Sequence, residues 1–314
     1  MKIANTDKIG STNKKSIVNC QLSIVNYILL IVFLFFSVNL HAQRGLFDGF
    51  EVGLSGSGGL SALHFTTVDK GKFTNSVGYA FGWEVGLLFT DGWSLRTGVN
   101  MASYKASVFF DQLETRTVFN ETPGGYPLGS RYYRVFEHQQ YEELHEALLL
   151  RFPLMVQYQA TQRFYVAAGI QTGILANSSY RLRSDEFSIK GYSDFTDQYY
   201  EDFKQEGFNS YSKRKSANKL DFGVALSGVL ETGLKWNLNN GMALYTGVFI
   251  DYGINDFRKN APIKRIVEYS QDNDHAYNSI IFSQNNGEPM TSKVKPVAAG
   301  LRLRLNMGFK KINN

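Results

Sequence analysis

From Val297 to Phe309 every second residue is apolar: Val297, Ala299, Leu301, Leu303, Leu305, Met307 and Phe309. Between them stand Ala298, Gly300, Arg302, Arg304, Asn306 and Gly308, all small, polar or charged. A period of two over this length predicts a β-strand with two unlike faces. Strands of soluble domains run to about five or six residues. About nine to eleven tilted residues are enough to cross a bilayer. If the apolar face meets hydrocarbon, the arginines point into a closed barrel, because a spanning sheet has to satisfy every backbone group.

The same alternation recurs upstream. A first strand is expected over about 49–63, with Phe50, Val52 and Leu54 opposite Glu51, Gly53, Ser55 and Ser57, and with a bend at Gly56, Gly58 and Gly59. A second covers 79–90, with Phe81, Trp83, Val85, Leu87 and Phe89 opposite Gly82, Glu84 and Gly86. Asp91-Gly92 makes a hairpin turn into a third strand from Trp93 to about Phe110, which puts Arg96 and Asn100 on the polar face. The fourth is expected over 145–159, with Arg151 and Gln157 on the polar face and a bulge at Pro153. The fifth runs over 164–177. The sixth, over 220–236, sets Phe222, Val224 and Leu226 against Asp221, Gly223, Glu231 and Lys235. The seventh, over 242–254, has Asp251 on its polar face.

The predicted fold is therefore all-β, an eight-stranded antiparallel up-and-down transmembrane β-barrel. Its connections alternate. Residues 91–92, 160–163 and 239–241 are short turns. Residues 64–78, 111–143, 178–218 and 255–295 are longer polar segments. Outer-membrane barrels have this asymmetry, with tight periplasmic turns and long extracellular loops. Trp93, Phe164 and Trp236 lie beside the short turns, where an aromatic girdle belongs.

Residues 1–42 stand apart from this pattern. Lys14 and Lys15 precede an apolar run from Ile28 to Ser37, and His41-Ala42-Gln43 follows. The run has the length of a signal-peptide core and is too short to span a membrane as a helix. The expectation is a signal peptide over 1–42, cut after Ala42, and a barrel domain over 43–314. The one cysteine, Cys20, falls in the leader, so disulfide and thiol chemistry drop out. Of the net +5 charge, three units belong to the leader (Lys2, Lys8, Lys14 and Lys15 against Asp7), which leaves about +2. Nucleic acid is not an expected partner.

The expected lumen holds Glu51, Glu84, Glu231 and Asp251 with Arg96, Arg151, Lys235, Arg302 and Arg304. An eight-stranded barrel has an interior that side chains fill, and buried charges there have to pair. This predicts a salt-bridged, non-conducting plug, with a narrow transport channel as the alternative. His138 and His145, with Glu137, Glu142 and Glu143, form a His/acid cluster that is expected as a solvated loop, against a metal or general-base site. No histidine spacing of a metalloprotease and no EF-hand spacing occurs. No cofactor or metal is expected, and a membrane-embedded hydrolase is the third reading. In the segment 178–218, Tyr192, Phe195, Tyr199, Tyr200 and Phe203 offer a docking surface for a protein or glycan, or else a cap or strand extension above the barrel.

Leu148-Leu-Leu-Arg-Phe-Pro-Leu-Met-Val-Gln-Tyr158 and the Gly300-Leu-Arg-Leu-Arg-Leu305 ending, behind a leader that closes on His-Ala-Gln, resemble the PorT-like family of outer-membrane β-barrel proteins. The architecture is also similar to the OmpA-type transmembrane domain. The resemblance covers about residues 45–309. It implies outer-membrane residence and, as for one member type of the family, a link to protein secretion, and it carries over no catalytic residue. The expected partners are outer-membrane lipid, the barrel-assembly machinery during insertion, and whatever the extracellular loops hold, with the protein a monomer.

Overall fold

The structure is a computed structural model. It describes residues 49–309 apart from 69–70, 75, 91, 120–130, 202–207, 239–240, 260–263 and 269–274. The expected leader, the turn residues Asp91, Asn239 and Asn240, and Phe203 lie outside the described residues.

Eight strands form a closed ring. They are β1 (Phe50–His64), β2 (Val77–Thr90), β3 (Trp93–Phe119), β4 (Tyr132–Gln159), β5 (Phe164–Ser193), β6 (Val224–Asn237), β7 (Met242–Gly253) and β8 (Lys295–Phe309). Each pairs antiparallel with its neighbours in sequence. β8 closes on β1 in continuous register from Phe50 opposite Phe309 to His64 opposite Lys295. Closure leaves no sheet edge in hydrocarbon, the condition for a spanning sheet.

The outer face of the lower barrel carries the apolar residues of the alternation. Leu54, Phe81, Trp83, Val99, Leu154, Ile170, Leu230, Val248, Ile250, Leu301 and Leu303 are all exposed. Trp93, Tyr158, Phe164 and Trp236 ring its lower rim, and the Trp93 and Tyr158 rings lie 4.7 Å apart. A Cβ at Gly53 would run into the Asn306 carboxamide, so the missing side chain there makes room for a polar neighbour.

Three expectations need correction. First, 111–143 and 178–218 are not simply polar loops. β3, β4 and β5 have 27, 28 and 30 residues, so they rise far above the apolar belt. Strand Asn209–Asn218 pairs with the upper part of β5, and Gln198–Tyr200 pairs with its end. Lys72–Thr74 pairs with β3 at Ser107–Phe109. Together they form an extracellular wall. Second, Pro153 causes no register shift; the shift lies between Leu148 and Leu149. At Pro153, which has no N–H to give, the ladder to β3 is interrupted, and the Thr97 hydroxyl donates to the Pro153 carbonyl at 2.9 Å. Third, β6 starts at Val224, and Phe222 faces inward against Phe257 with ring centroids 4.1 Å apart.

The wall inverts the chemistry of the faces. Its inner side is apolar: Tyr104, Val108, Phe110, Leu113, Tyr141, Leu149, Leu182, Phe187 and Ile189 are buried in one cluster. Its outer side carries Lys105, Glu142, Glu146, Arg181, Arg183 and Lys190. The segment between β7 and β8 folds into the mouth. There Ser279 caps a short 3₁₀ turn, Ile280–Phe282, whose Ile280 and Ile281 are fully buried with Met290 and Val294. Arg258 pins this plug. It pairs with Asp256 at 2.6 Å and donates to the Ile281 carbonyl at 2.9 Å.

A charge on the belt meets hydrocarbon, whereas one on the wall meets water. We expect Leu303→Arg to lower unfolding stability in phospholipid vesicles by about 2–4 kcal/mol. Gln139→Arg, on the exposed wall, is expected to change it by less than about 0.5 kcal/mol. Equal effects at the two sites would contradict this placement of the belt.

Candidate functional site

Inside the belt, alternate residues of all eight strands point at one another, and the structure brings the nine charged lumen residues into three connected groups. At the periplasmic end Glu51 accepts from the Asn306 amide at 2.8 Å and from the Tyr245 hydroxyl at 3.2 Å, with Lys235 3.7 Å away. In the middle Glu84 pairs with Arg96 and, at 3.2 Å, with Arg304. Glu231 pairs with Arg302 at 2.7 Å and Arg96 at 3.4 Å, and accepts from the Tyr165 hydroxyl at 2.8 Å. Gln157 joins the two carboxylates by accepting from Arg96 at 3.1 Å and Arg304 at 2.9 Å. Nearest the mouth, Asp251 receives Arg151 and the Tyr104 hydroxyl, each at 2.9 Å, and also the Gln171 amide.

Aromatic rings cover the remaining cationic faces. Arg302 lies 4.7 Å over Phe249 and Arg304 4.1 Å over Tyr245. Such pairs are tolerable in a buried interior because each of the nine charges has an opposite charge beside it, and Glu51, Arg96, Arg151, Glu231, Asp251 and Arg304 also have neutral donors or acceptors. The cavity where the lumen meets the apolar mouth, bounded by Ser57, Tyr104, Arg151 and Phe249, holds about 10 Å³. That is no more than one water needs, roughly 10–15 Å³.

The neutral members Asn100, Gln157, Gln171, Asn306, Tyr104, Tyr165 and Tyr245 were legible only through strand parity. A count of charges alone passes over them, although they supply much of the hydrogen bonding.

The His/acid cluster is not a solvated loop. His138, His145 and Glu143 are fully buried on the inner side of the wall, while Glu137 and Glu142 face outward. His145 Nε2 meets Glu143 at 2.8 Å and the Ser279 hydroxyl at 3.2 Å. Carboxylate and hydroxyl thus converge on one ring nitrogen. A relay that activates serine needs them on opposite nitrogens. Glu143 also accepts from Tyr141 at 2.5 Å and from the Ile280 amide at 3.1 Å. The group is a latch that holds the plug to the wall. Burial pushes the Glu143 carboxyl up, but the charge of His145 and the bonds from His145, Ser279 and Tyr141 outweigh it, and the net direction is down.

Of the aromatics in the 178–218 segment, Tyr192 and Tyr199 stand opposite each other, rings 5.0 Å apart, on a hairpin whose turn exposes Phe195. Arg116 lies 4.7 Å over Tyr192 and donates to the Tyr199 hydroxyl at 2.9 Å. Tyr200 turns inward against Tyr132, 5.9 Å between ring centroids, so it belongs to the wall's packing.

His138 is stacked on Phe187 at 4.7 Å and meets Tyr141 edge-on at 5.3 Å, and among the described residues neither of its ring nitrogens has a hydrogen-bond partner. Burial lowers its pKa from 6.5 to about 3. The unfolded chain therefore binds a proton below pH 6.5 that the folded chain refuses, and stability falls with acidification by about 1.4 kcal/mol per pH unit. From pH 7 to pH 5 the wild type should lose about 2 kcal/mol more than His138→Phe, measured as unfolding free energy in detergent. Parallel pH profiles would contradict this.

A search of curated proteins finds no match. Among solved structures, the chain is similar to Ail, the attachment invasion locus protein of Yersinia pestis, in complex with the heparin analogue sucrose octasulfate, at 11% identity and TM-score 0.22, covering 83% of this chain and 99% of that one. It is similar to OprG from Pseudomonas aeruginosa at 12% identity and TM-score 0.24, covering 83% and 96%. It is similar to the translocator domain of the autotransporter NalP from Neisseria meningitidis at 8% identity and TM-score 0.24, covering 94% and 98%. Similarity at that level assigns no ligand. The family model for the outer membrane protein beta-barrel domain matches residues 41–258, more than half of the chain. With its closed ring, lipid-facing belt and paired lumen, the chain belongs to that family of outer-membrane β-barrel proteins.

Proposed function

We propose that the protein is a sealed, non-enzymatic outer-membrane anchor. After loss of a leader over 1–42, its barrel would hold a stiff extracellular wall whose tip engages a protein or glycan partner. Its place would be in the PorT-like branch, in service of protein secretion. What supports this reading is that side chains fill the barrel at two levels. Ion pairs fill the lumen from Glu51 to Asp251, and the apolar plug around Ile280 and Ile281 fills the mouth above it. A molecule closed in this way has its outer surfaces to work with. The hairpin around Phe195 favours the tip, because Phe195 is 61% exposed and Tyr199 46%, and rigid aromatics beside an arginine are the common anchors of binding surfaces.

In planar bilayers the wild type should pass no steady current. A variant lacking residues 264–289 should stay silent too, since the ion-paired lumen lies below the plug. Steady channels from the wild type would support the narrow-channel alternative and sink the sealed reading. A photocrosslinker placed at Phe195 in living cells should give one discrete adduct, and the same group at Gln139 none. A smear of adducts alike at both positions would remove the tip as the docking site.

A further inference from the structure

At one height the outer side of the wall carries four cations, Lys105, Arg181, Arg183 and Lys215, against three carboxylates, Glu142, Glu146 and Asp185. Moving up β4 from Leu148, where the unbroken run of apolar outward residues ends, the first polar row holds Lys105 opposite Glu146. The next holds Leu144, Arg181 and Ala217, and the one above it Glu142, Arg183 and Lys215. Glu146 is shared by Lys105 at 2.9 Å and Arg181 at 3.3 Å. Arg183 pairs with Asp185 at 3.1 Å. Among the described residues no carboxylate lies within ion-pair distance of Lys215. Arg183 and Lys215 stand directly opposite one another, an arrangement that destabilises a sheet unless an anion comes between them. Here β4, β5 and strand Asn209–Asn218 leave a cleft of about 510 Å³, lined by Glu142, Leu144, Arg181, Arg183, Lys215 and Ala217.

We propose that this cleft binds the phosphorylated sugar head group of a glycolipid in the outer leaflet. The cleft opens outward, on the side that faces lipid lower down, so its nearest solute is the head-group layer. Height selects among head groups. A strand rises about 3.3 Å per residue, or about 2.5 Å along the membrane normal at the usual barrel tilt. Lys105 then sits about 5 Å above the apolar belt, Arg181 about 10 Å and Arg183 with Lys215 about 15 Å. A phospholipid head-group layer is only about 5–8 Å thick per leaflet. The two upper rows therefore need an anion carried higher, on sugars. Arginine forks suit phosphate oxygens, and the apolar floor of Leu144 and Ala217 suits a sugar face.

The test uses the full barrel in detergent micelles, with lipopolysaccharide lipid anchor as probe in its phosphorylated and dephosphorylated forms and inorganic phosphate as a third ligand. The wild type should bind the phosphorylated form at least tenfold more tightly than the dephosphorylated one. Arg181→Gln/Arg183→Gln/Lys215→Gln should lose that preference, and Lys72→Gln, a cation elsewhere on the wall, should keep it. Lys215→Gln alone, which breaks no ion pair among the described residues, should weaken binding several-fold and serves if the triple variant does not fold. Equal affinity for the two glycolipid forms, or an unchanged preference in the folded Lys215→Gln and triple variants, would overturn the proposal. Inorganic phosphate that displaces the glycolipid at equal concentration would reassign the cleft to a free anion and overturn it as well.

Discussion

The constraint on which the rest depends is that one continuous sheet passes from hydrocarbon into water without changing which way its side chains point. In β4 the inward series is Arg151, Leu149, Ala147, His145, Glu143 and Tyr141, and the outward series is Leu150, Leu148, Glu146, Leu144 and Glu142. Parity holds from Arg151 to Tyr141, but the chemistry exchanges faces within a few residues. Below the boundary, apolar groups face lipid and charges face one another. Above it, charges face water and apolar groups face a second core. Each half obeys the ordinary rule for its own solvent.

The two interiors solve different problems. The lumen is narrow and ringed by backbone, so polar side chains that cross-link opposite walls fill it where alkyl groups fill other cores. A buried ion pair is weak evidence for net stability, but removing one partner leaves a charge with nowhere to go. Glu231, which collects Arg96, Arg302 and Tyr165, therefore fixes the relative positions of β3, β5, β6 and β8. At the mouth, Phe187, Tyr141 and Ile280 close the barrel by apolar burial. The latch of Glu143, His145 and Ser279 adds direction to that burial, because the Glu143 carboxylate bonds the Ile280 amide at the start of the plug's 3₁₀ turn.

Most of the belt was legible in the sequence. Strict alternation over a bilayer's thickness has one structural solution, and Arg302 and Arg304 show which face is inside. The wall was not legible in the same way, and β3 shows why. From Lys105 to Phe110 the alternation persists as Lys105, Ala106, Ser107, Val108, Phe109 and Phe110, and β3 then passes through Asp111 and Gln112 before Leu113 turns inward again. Phe109 is only partly covered, beside Lys72 at 5.7 Å. A search for apolar faces on lipid rejects such a stretch, since its outward side is charged. On the partner strand, Gln140 takes a positive φ of 50° opposite this break, and the period slips again. The burial of His138 and His145 was hidden for the same reason, because histidines among glutamates look solvated unless the strand's inner face is known to be covered. The pairing of the nine lumen charges, in contrast, needs only parity and register, and both follow from short turns and an antiparallel ring.

The most direct test is a cysteine scan down β4, made simple by the absence of any cysteine after Cys20. Single cysteines at Leu154, Leu150, Glu146, Glu142 and Tyr141 would carry a fluorophore in vesicles, quenched in turn from the lipid phase and from water. Lipid-phase quenching at Leu154 and Leu150, aqueous quenching at Glu146 and Glu142, and protection from both at Tyr141 are expected. Lipid-phase quenching at Glu142, or aqueous quenching at Leu154, would contradict the exchange of faces at the membrane boundary.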